Sequence, residues 1–576
     1  MKPYLFLLLI FFCRFATAVG QTDPAALLHK LLDEDKKFQE AEFSSPDRPF
    51  PAVSAADEKR RAVFYQQELA VLLEIDPAAL SPQDRISYEL LKYLLEDRLS
   101  AVKHEAYLVP LNAEGGWYTD FVLSVDNQRF NAKEDYEKYI KKLEAFGEWA
   151  AQHIRLMEEG LVKGRTAPYD ILRGRETVID HLIVERATDS PFHKPFEKMP
   201  PGIPAAEQEA LREKGRAAIM GSIVPGYRAF RDFWKNKYIP GAVKAPGISA
   251  QPGGAEYYGQ RVRHFTTLPM TAEEVFEIGQ REVARIRAEM EAVMREAGHE
   301  GTFAGFLEFL RTDPRFYPQT PRDLLREASY FSKKIDGKLP AYFGKLPRNP
   351  YGVAPVPEVL APTYTAGRYS PGSPERQRAG FYWVNTWNLP ARPLYALPAL
   401  TLHEAVPGHH LQISLAQELE NVPEIRRRTY LSAFGEGWAL YCEWLGQEMG
   451  IYETPYEHFG RLTYEMWRAC RLVVDPGLHV KGWSRDQAIT FMAENTALSL
   501  HECTTEVDRY IGWPGQAVSY KIGELKIREL RQKASEALGA MFDLRAFHDL
   551  VLSEGAVPLF VLEEMVERWV EEKGRQ

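Results

Sequence analysis

The chain has 576 residues, of which 45% are hydrophobic and 26% are charged, and its formal net charge is -9. This composition is ordinary for a globular protein, and the length suits one large domain or two lobes. The net negative charge offers no basic field for a nucleic-acid backbone, so we expect no nucleic-acid partner.

The N-terminus predicts an export signal. Lys2 is followed by an apolar run over residues 4–12, and the small residues Ala-Thr-Ala at 16–18 have the spacing that signal peptidase reads. We therefore expect a signal peptide over residues 1–18, with cleavage after residue 18 or 20. No stable membrane span is expected after cleavage. A retained anchor is the alternative, whereas lipidation at Cys13 is disfavoured because bulky Phe12 precedes it.

Three cysteines remain after removal of the signal, namely Cys442, Cys470 and Cys503. An odd number requires at least one free thiol or an intermolecular bond. A pair between Cys470 and Cys503 stays open, and none of the three has metal-knuckle spacing. We favour buried cysteines without a functional role, because cysteine behaves as a small apolar residue.

Amphipathic patterns with apolar residues three and four apart predict a mainly helical protein. Thr271 and Glu274 form a capping-box signature, which starts a helix that should run to about Ala297, with Gly298 near its end. Other predicted helices cover residues 22–32, 55–73, 82–99 and 133–159.

Two stretches interrupt the helical pattern. Residues 239–258 are rich in proline and glycine, and they are the candidate boundary between an N-terminal helical region, 22–250, and a catalytic helical region, 251–576. Residues 339–398 are rich in Pro, Gly, Tyr and Trp, which predicts a small β element. Helices should resume at about Ala396 and continue to the C-terminus.

Residues 403–410, which read HEAVPGHH, predict a metal site. A hydrolytic zinc needs about three protein ligands, and H-E-x-x-H on a helix places two histidines on one face. Here His409 follows His403 by six residues, which on an ideal helix would point it about 120° away. Pro407 and Gly408 can interrupt the helix and return His409 to the metal. His410 faces correctly but lies about 10.5 Å along the helix, so it is the second choice.

A third ligand is predicted at Glu436, which lies between Gly435 and Gly437 in an apolar helical pattern. A buried carboxylate is costly unless it is paired or bound to metal. Glu443, seven residues later, can orient a histidine from behind. The residue chemistry thus predicts one Zn²⁺ bound by His403, His409 and Glu436. Glu404 is then the general base that takes a proton from the attacking water.

Three sequence blocks resemble a known bacterial family. Residues 403–412 (HEAVPGHHLQ), 436–441 (EGWALY) and 514–523 (PGQAVSYKIG) are similar to the motifs of the domain-of-unknown-function 885 family, DUF885. Together with residues 253–258 (GGAEYY), the resemblance covers most of the mature chain as one continuous family domain.

The resemblance implies a mainly α, large helical metallopeptidase-like fold with a deep cleft, similar to helical zinc carboxypeptidases and dipeptidyl carboxypeptidases. The small β element would precede the HExxPGHH helix. In the family motif the histidine after Pro-Gly is the steadier one, which favours His409 over His410. Members are often exported and several look like lipoproteins, so we expect a periplasmic or extracellular bacterial protein.

Two further catalytic residues are predicted at His479 and Tyr520. Either could donate a hydrogen bond to the oxyanion that forms at a peptide carbonyl, as a histidine and a tyrosine do in related helical zinc peptidases. A buried structural role is the alternative for each. Arg509 and Lys521 could hold a substrate carboxylate, although ion pairs within the fold are favoured.

We therefore expect zinc-dependent hydrolysis of peptide bonds in short peptides, of a carboxypeptidase or dipeptidase type. Two alternatives remain at this stage. One is an exported, non-catalytic protein that binds metal or peptide. The other is a zinc hydrolase that acts on a non-peptide amide or ester.

Overall fold

The computed structural model describes residues 23–45, 48–125, 128–358 and 361–575. The predicted signal peptide, residues 1–18, lies outside the described residues. Within them the protein is mainly helical with one small three-stranded sheet, as predicted. None of the helices in these ranges is both long and apolar enough to cross a lipid bilayer.

The N-terminal region is a series of helices whose starts match their sequence signals. The hydroxyls of Ser54 and Ser81 accept hydrogen bonds from the first turns of two of them. The first helix continues past its predicted end at Leu32 to Phe43. The longer helices are α1 (Pro24–Phe43), α2 (Ala55–Leu72), α3 (Pro82–Lys103), α4 (Trp117–Val125), α5 (Lys133–Val162), α6 (Ala205–Ala218) and α7 (Val224–Phe233).

The predicted capping box is confirmed. The backbone N–H of Glu274 donates to Thr271 Oγ1 over 3.2 Å, and the backbone N–H of Thr271 donates to Glu274 Oε2 over 2.8 Å. The non-helical stretch ends earlier than predicted, because a helix already begins at Gly254. The helices of this part are α8 (Gly254–Thr266), α9 (Ala272–Glu296), α10 (Phe303–Thr312) and α11 (Pro321–Asp336).

The predicted β element is also confirmed. Strands β1 (Tyr351–Pro355), β2 (Gly367–Ser370) and β3 (Gly380–Val384) form a sheet in the order β1-β3-β2. β1 is parallel to β3, whereas β2 is antiparallel to β3. β2 is therefore an edge strand of this sheet.

Helices resume at Leu397 and continue nearly to the C-terminus. The longer of these helices are α12 (Leu397–Glu404), α13 (His409–Gln417), α14 (Ser432–Glu448), α15 (Pro455–His479), α16 (Arg485–Asn495), α17 (Leu500–Gly512), α18 (Ser519–Leu538), α19 (Leu544–Leu552) and α20 (Leu559–Gly574).

The largest hydrophobic cluster includes residues from Leu111 to Ala517, so it draws on both sides of the candidate boundary near residue 250. The two predicted regions therefore share a core. Cys442, Cys470 and Cys503 are buried, as favoured from the sequence, and all three are free thiols, which settles the open question of a Cys470–Cys503 pair.

The crossing of α14 and α18 is close because both helices present glycine there. A Cβ on Gly523 would lie 1.9 Å from the carbonyl oxygen of Ala433, and a Cβ on Gly437 would lie 2.5 Å from Gly523 Cα. These separations are far below van der Waals contact, so a larger residue would force the helices apart. Since Gly437 follows Glu436 directly, this crossing also fixes the position of the Glu436 backbone.

We expect Gly523→Ala to lower the free energy of unfolding by about 1–3 kcal/mol, because the added methyl group overpacks the crossing. The matched control is Gly259→Ala in α8, where no described heavy atom lies within 4 Å of the added Cβ. That control should be neutral or stabilising, by up to about 1 kcal/mol. Denaturant unfolding measures both, and equal stability of the two variants would show that the crossing tolerates a methyl group at Gly523.

Candidate metal centre

The chain turns sharply between His403 and His409. Helix α12 ends at Glu404 and α13 begins at His409, so the helix is interrupted as the Pro-Gly pair predicted. A Cβ on Gly408 would lie 2.0 Å from the carbonyl oxygen of His403, so the turn requires glycine. The indole Nε1 of Trp438 donates to the carbonyl oxygen of Pro407 over 2.8 Å, which ties the turn to α14.

This turn brings two imidazoles to one carboxylate. His403 Nε2 and His409 Nε2 each lie 3.4 Å from Glu436 Oε2. Two ligand atoms bound at 2.0–2.1 Å to a tetrahedral zinc are about 3.3 Å apart, so these separations fit a shared ion. Among the residues that the structure describes, this is the one group of three or more His, Cys, Asp or Glu side chains placed to hold an ion.

His410 points away from this group. Its Nδ1 lies 2.9 Å from the hydroxyl of Tyr369 and 3.2 Å from Ser414 Oγ. Burial lowers the pKa of His410 to about 4, so its imidazole is neutral at physiological pH. The structure thus groups His409, and not His410, with His403 and Glu436.

Glu443 contacts Nδ1 of His403, the ring nitrogen that does not face Glu436, as its spacing predicted. Its Oε1 lies 2.8 Å from His403 Nδ1 and 3.2 Å from the guanidinium of Arg468. The contact holds the ring so that its Nε2 faces Glu436. Burial alone would lower the pKa of His403, but the neighbouring carboxylates of Glu436, Glu443 and Glu404 outweigh it and raise the pKa to about 9. The negative charge of these groups favours a cation between them.

Tyr430 is a site residue that the sequence did not indicate. Its hydroxyl donates to Glu436 Oε1 over 2.9 Å, which leaves Oε2 for the two histidines. Tyr430 is 46% exposed, yet its hydroxyl end is enclosed, and burial, Glu436 and Tyr520 raise the pKa of Tyr430 well above its usual range. A Cβ on Gly435 would lie 2.4 Å from the Tyr430 ring, so the glycine before Glu436 was the available signal.

Glu404 is held beside the histidines by the edge of the sheet. Its Oε2 accepts a hydrogen bond from the backbone N–H of Tyr369 in β2, over 2.7 Å. Glu404 is also the last residue of α12, directly after His403. The strand therefore fixes one carboxylate oxygen next to the candidate ligands.

The two residues predicted to stabilise an oxyanion differ in their surroundings. His479 is fully buried, its Nδ1 accepts from the backbone N–H of Ile248 over 3.2 Å, and its Nε2 donates to the carbonyl oxygen of Tyr510 over 3.0 Å. These are the contacts of a structural histidine, and they do not bring it to the metal group. Tyr520 instead lies close to Tyr430, and this proximity contributes to the raised pKa of Tyr430.

The two basic residues considered for a substrate carboxylate form ion pairs within the fold. Lys521 is fully buried, with its Nζ 2.8 Å from Glu465 and 2.7 Å from Glu524. Arg509 lies 3.0 Å from Glu506. The alternative favoured from the sequence therefore applies to both.

Comparisons with known proteins find a family and a fold. The model of the family described as "Bacterial protein of unknown function (DUF885)" matches residues 39–566. No curated protein matches the sequence.

Two solved structures are similar over nearly their whole length. One, described as "the putative lipoprotein from Colwellia psychrerythraea", has a TM-score of 0.86 and 28% identity, with 95% of this chain and 99% of that chain covered. The other, "a putative lipoprotein of unknown function from Shewanella oneidensis", has a TM-score of 0.73 and 17% identity, with 95% of this chain and 100% of that chain covered. The second likeness concerns the fold alone.

The geometry predicts which histidine binds metal. After chelation and titration with zinc, we expect the wild-type chain and His410→Gln to bind one ion with similar affinity. His409→Gln should lose more than the roughly 10–100-fold that removal of an outer-shell partner costs. Zinc loss in His410→Gln together with retention in His409→Gln would reverse the assignment.

Proposed function

The chain therefore belongs to the DUF885 family, and we propose that it is an exported zinc-dependent peptidase that hydrolyses peptide bonds in short peptides. The observation that carries the proposal is the meeting of His403, His409 and Glu436 around one point, with Glu404 anchored beside them. Two imidazoles and one carboxylate are a ligand set that catalytic zinc uses, with a position left for water.

The donor set fits zinc in number, type and separation. A bound zinc would lower the pKa of a water molecule and polarise the substrate carbonyl. His403 is oriented for this task by Glu443, and Glu436 by the hydroxyl of Tyr430. Both supporting contacts leave the ligand atoms directed at the same point.

Glu404 acts as the general base in this proposal. The backbone of β2 holds its Oε2, so the carboxylate has a fixed orientation when it takes a proton from the attacking water. The same carboxyl group then delivers the proton to the leaving amine. Glu404 alone therefore carries out both proton transfers in this proposal.

Tyr520 is the proposed hydrogen-bond donor to the oxyanion. The nitrogens of His479 are both used by the backbone, and the hydroxyl of Tyr430 already donates to Glu436. The guanidinium of Arg471 lies 4.0 Å from the centre of the Tyr520 ring, which helps to hold the ring in place.

Export and a peptide substrate are further parts of the proposal. The N-terminal signal pattern supports export, as does the likeness to proteins described as lipoproteins. Short peptides are favoured because a deep cleft in a helical fold, implied by the family motifs, admits chain ends more easily than folded protein. Zinc binding without chelator-sensitive turnover would instead favour a binding role, and turnover of esters alone would favour a non-peptide substrate.

We expect Glu404→Gln to keep its zinc and to lower kcat for peptide hydrolysis by about 10²–10⁴, because the base is lost while the ligands remain. A peptide library digested with and without chelator, followed by mass spectrometry, measures the activity. The matched control is Glu567→Gln on the exposed face of α20, which should retain wild-type turnover. Full activity in Glu404→Gln would remove the base assignment.

Tyr520→Phe should lower kcat by about 10²–10³ with little change in KM, since an oxyanion donor acts mainly in the transition state. Tyr342→Phe serves as the control, because the Tyr342 hydroxyl donates to the carbonyl oxygen of Glu448. Steady-state kinetics on one cleaved peptide compare the two variants. An unchanged kcat in Tyr520→Phe would exclude this residue as the donor.

A further inference from the structure

Arg368 is an exposed side chain on the strand that holds the candidate base. It lies in β2 and directly precedes Tyr369, whose backbone N–H donates to Glu404. Successive side chains of a strand point to opposite faces. The side chain of Tyr369 is on the buried face, where its hydroxyl lies 2.9 Å from Nδ1 of His410, so Arg368 points to the face that solvent reaches.

The guanidinium of Arg368 has no carboxylate partner in the part of the chain that the structure describes. None of the described carboxylates lies within 4.0 Å of it. Its hydrogen-bonding neighbour is the hydroxyl of Tyr364. A guanidinium carries five N–H donors in a planar fork, so one hydroxyl leaves donors for a second acceptor.

Arg368 lies in a recess of the protein surface. Its side chain is exposed, yet burial is the largest influence on its pKa and lowers it. Tyr364, Glu404 and Glu114 together outweigh burial, so the pKa of Arg368 is raised on balance. Protein therefore surrounds a guanidinium that solvent still reaches, which is the situation of a polar group in a concave binding site.

Elements from both halves of the chain border this recess. Glu114 lies in a turn of the N-terminal region, where Asn112 Oδ1 accepts a hydrogen bond from its backbone N–H over 2.8 Å. Trp383 is opposite Arg368 in the antiparallel register of β2 and β3, so the two side chains share a face. The ring centroid of Trp383 is 6.4 Å from that of Tyr364. The recess thus combines an unpaired cation with two aromatic rings.

The recess adjoins the candidate metal centre through Glu404. The carboxylate of Glu404 is more than 4.0 Å from the Arg368 guanidinium, but it is near enough to contribute to the raised pKa of Arg368. An extended peptide advances about 3.3–3.6 Å per residue. A peptide whose bond is cleaved beside Glu404 can therefore present to Arg368 a group that is one or two residues from that bond.

We propose that Arg368, with the hydroxyl of Tyr364, binds a carboxylate of the substrate one or two residues from the scissile bond. The inference rests on the proposed peptidase function and names its substrate class, which is short peptides with a negative charge next to the cleaved bond. Arginine suits this task because its planar fork matches the two oxygens of a carboxylate. The carboxylate comes either from the C-terminus of the peptide or from an acidic side chain, and the binding experiment distinguishes these sources.

Binding can be measured without catalysis, by calorimetry on the full mature chain in the presence of chelator. Three peptides are compared: acetyl-trialanine with a free terminal carboxylate, acetyl-trialanine amide, and an acetyl-dialanyl-glutamate amide whose only carboxylate is in the side chain. At least one of the two anionic peptides should bind about tenfold more tightly than the neutral amide, because a charge-assisted hydrogen bond is the stronger kind. The tighter of the two identifies the source of the carboxylate. Equal affinity of all three, or no binding of either anionic peptide, would overturn the proposal.

Variants of Arg368 test whether this residue carries the preference. Arg368→Gln should remove it, so that anionic and neutral peptides bind alike, whereas Arg368→Lys should restore part of it because the charge remains without the fork. Neither variant should lower the melting temperature, since no ion pair among the described residues is lost. The matched control is Arg186→Gln, at an exposed arginine that pairs with Asp189, and it should keep the full preference. A preference that survives in Arg368→Gln would contradict the assignment.

Cleavage assays on the zinc-loaded protein separate the two proposals. Arg368→Gln should raise KM for the preferred anionic peptide about tenfold with little change in kcat, and it should leave turnover of the neutral amide unaffected. An equal loss of kcat on charged and neutral peptides would overturn the inference, because Arg368 would then act on Glu404 and not on the substrate. Hydrolysis without any charge preference would also overturn it and leave the peptidase proposal intact. Carboxylate-selective binding at Arg368 without hydrolysis of any peptide would overturn the peptidase proposal, and with it the identification of the ligand as substrate.

Discussion

The candidate metal centre depends on the close approach of Gly408 to the carbonyl oxygen of His403. A side chain at this position would collide with the backbone of α12, so only glycine lets the chain leave one helix and start the next at this angle. The turn returns His409 to the side of His403, which a continuous helix would prevent. Both imidazoles then face the carboxylate of Glu436.

Helix α14 connects this turn to the rest of the protein. It supplies Glu436 to the two histidines and Glu443 to the far side of the His403 ring. Between them, Gly437 allows α18 to pack closely, and Trp438 binds the turn itself. One helix therefore sets the position of the carboxylate ligand, the orientation of a histidine and the shape of the turn. Residues 436–441 (EGWALY) therefore provide packing contacts as well as the candidate ligand Glu436.

The edge strand β2 links the candidate base to Arg368. Tyr369 in β2 holds Glu404, while Arg368, the residue before it, points to the opposite face of the strand. Glu114 adds charge near Arg368 from the N-terminal region, which is remote in sequence.

The sequence by itself determined the helices, the small sheet, the interrupted motif and the candidate ligands His403, Glu436 and His409, with His410 left as the alternative to His409. These follow from local periodicity, Pro-Gly stereochemistry and the cost of a buried carboxylate. The structure decided between the two histidines, because only the folded chain brings His409 to Glu436. Only the tertiary structure decided the roles of Tyr430 and Arg468 and the backbone contacts of His479, because those depend on which side chains meet across the fold. The surroundings of Arg368 have the same origin, since they combine elements distant along the chain.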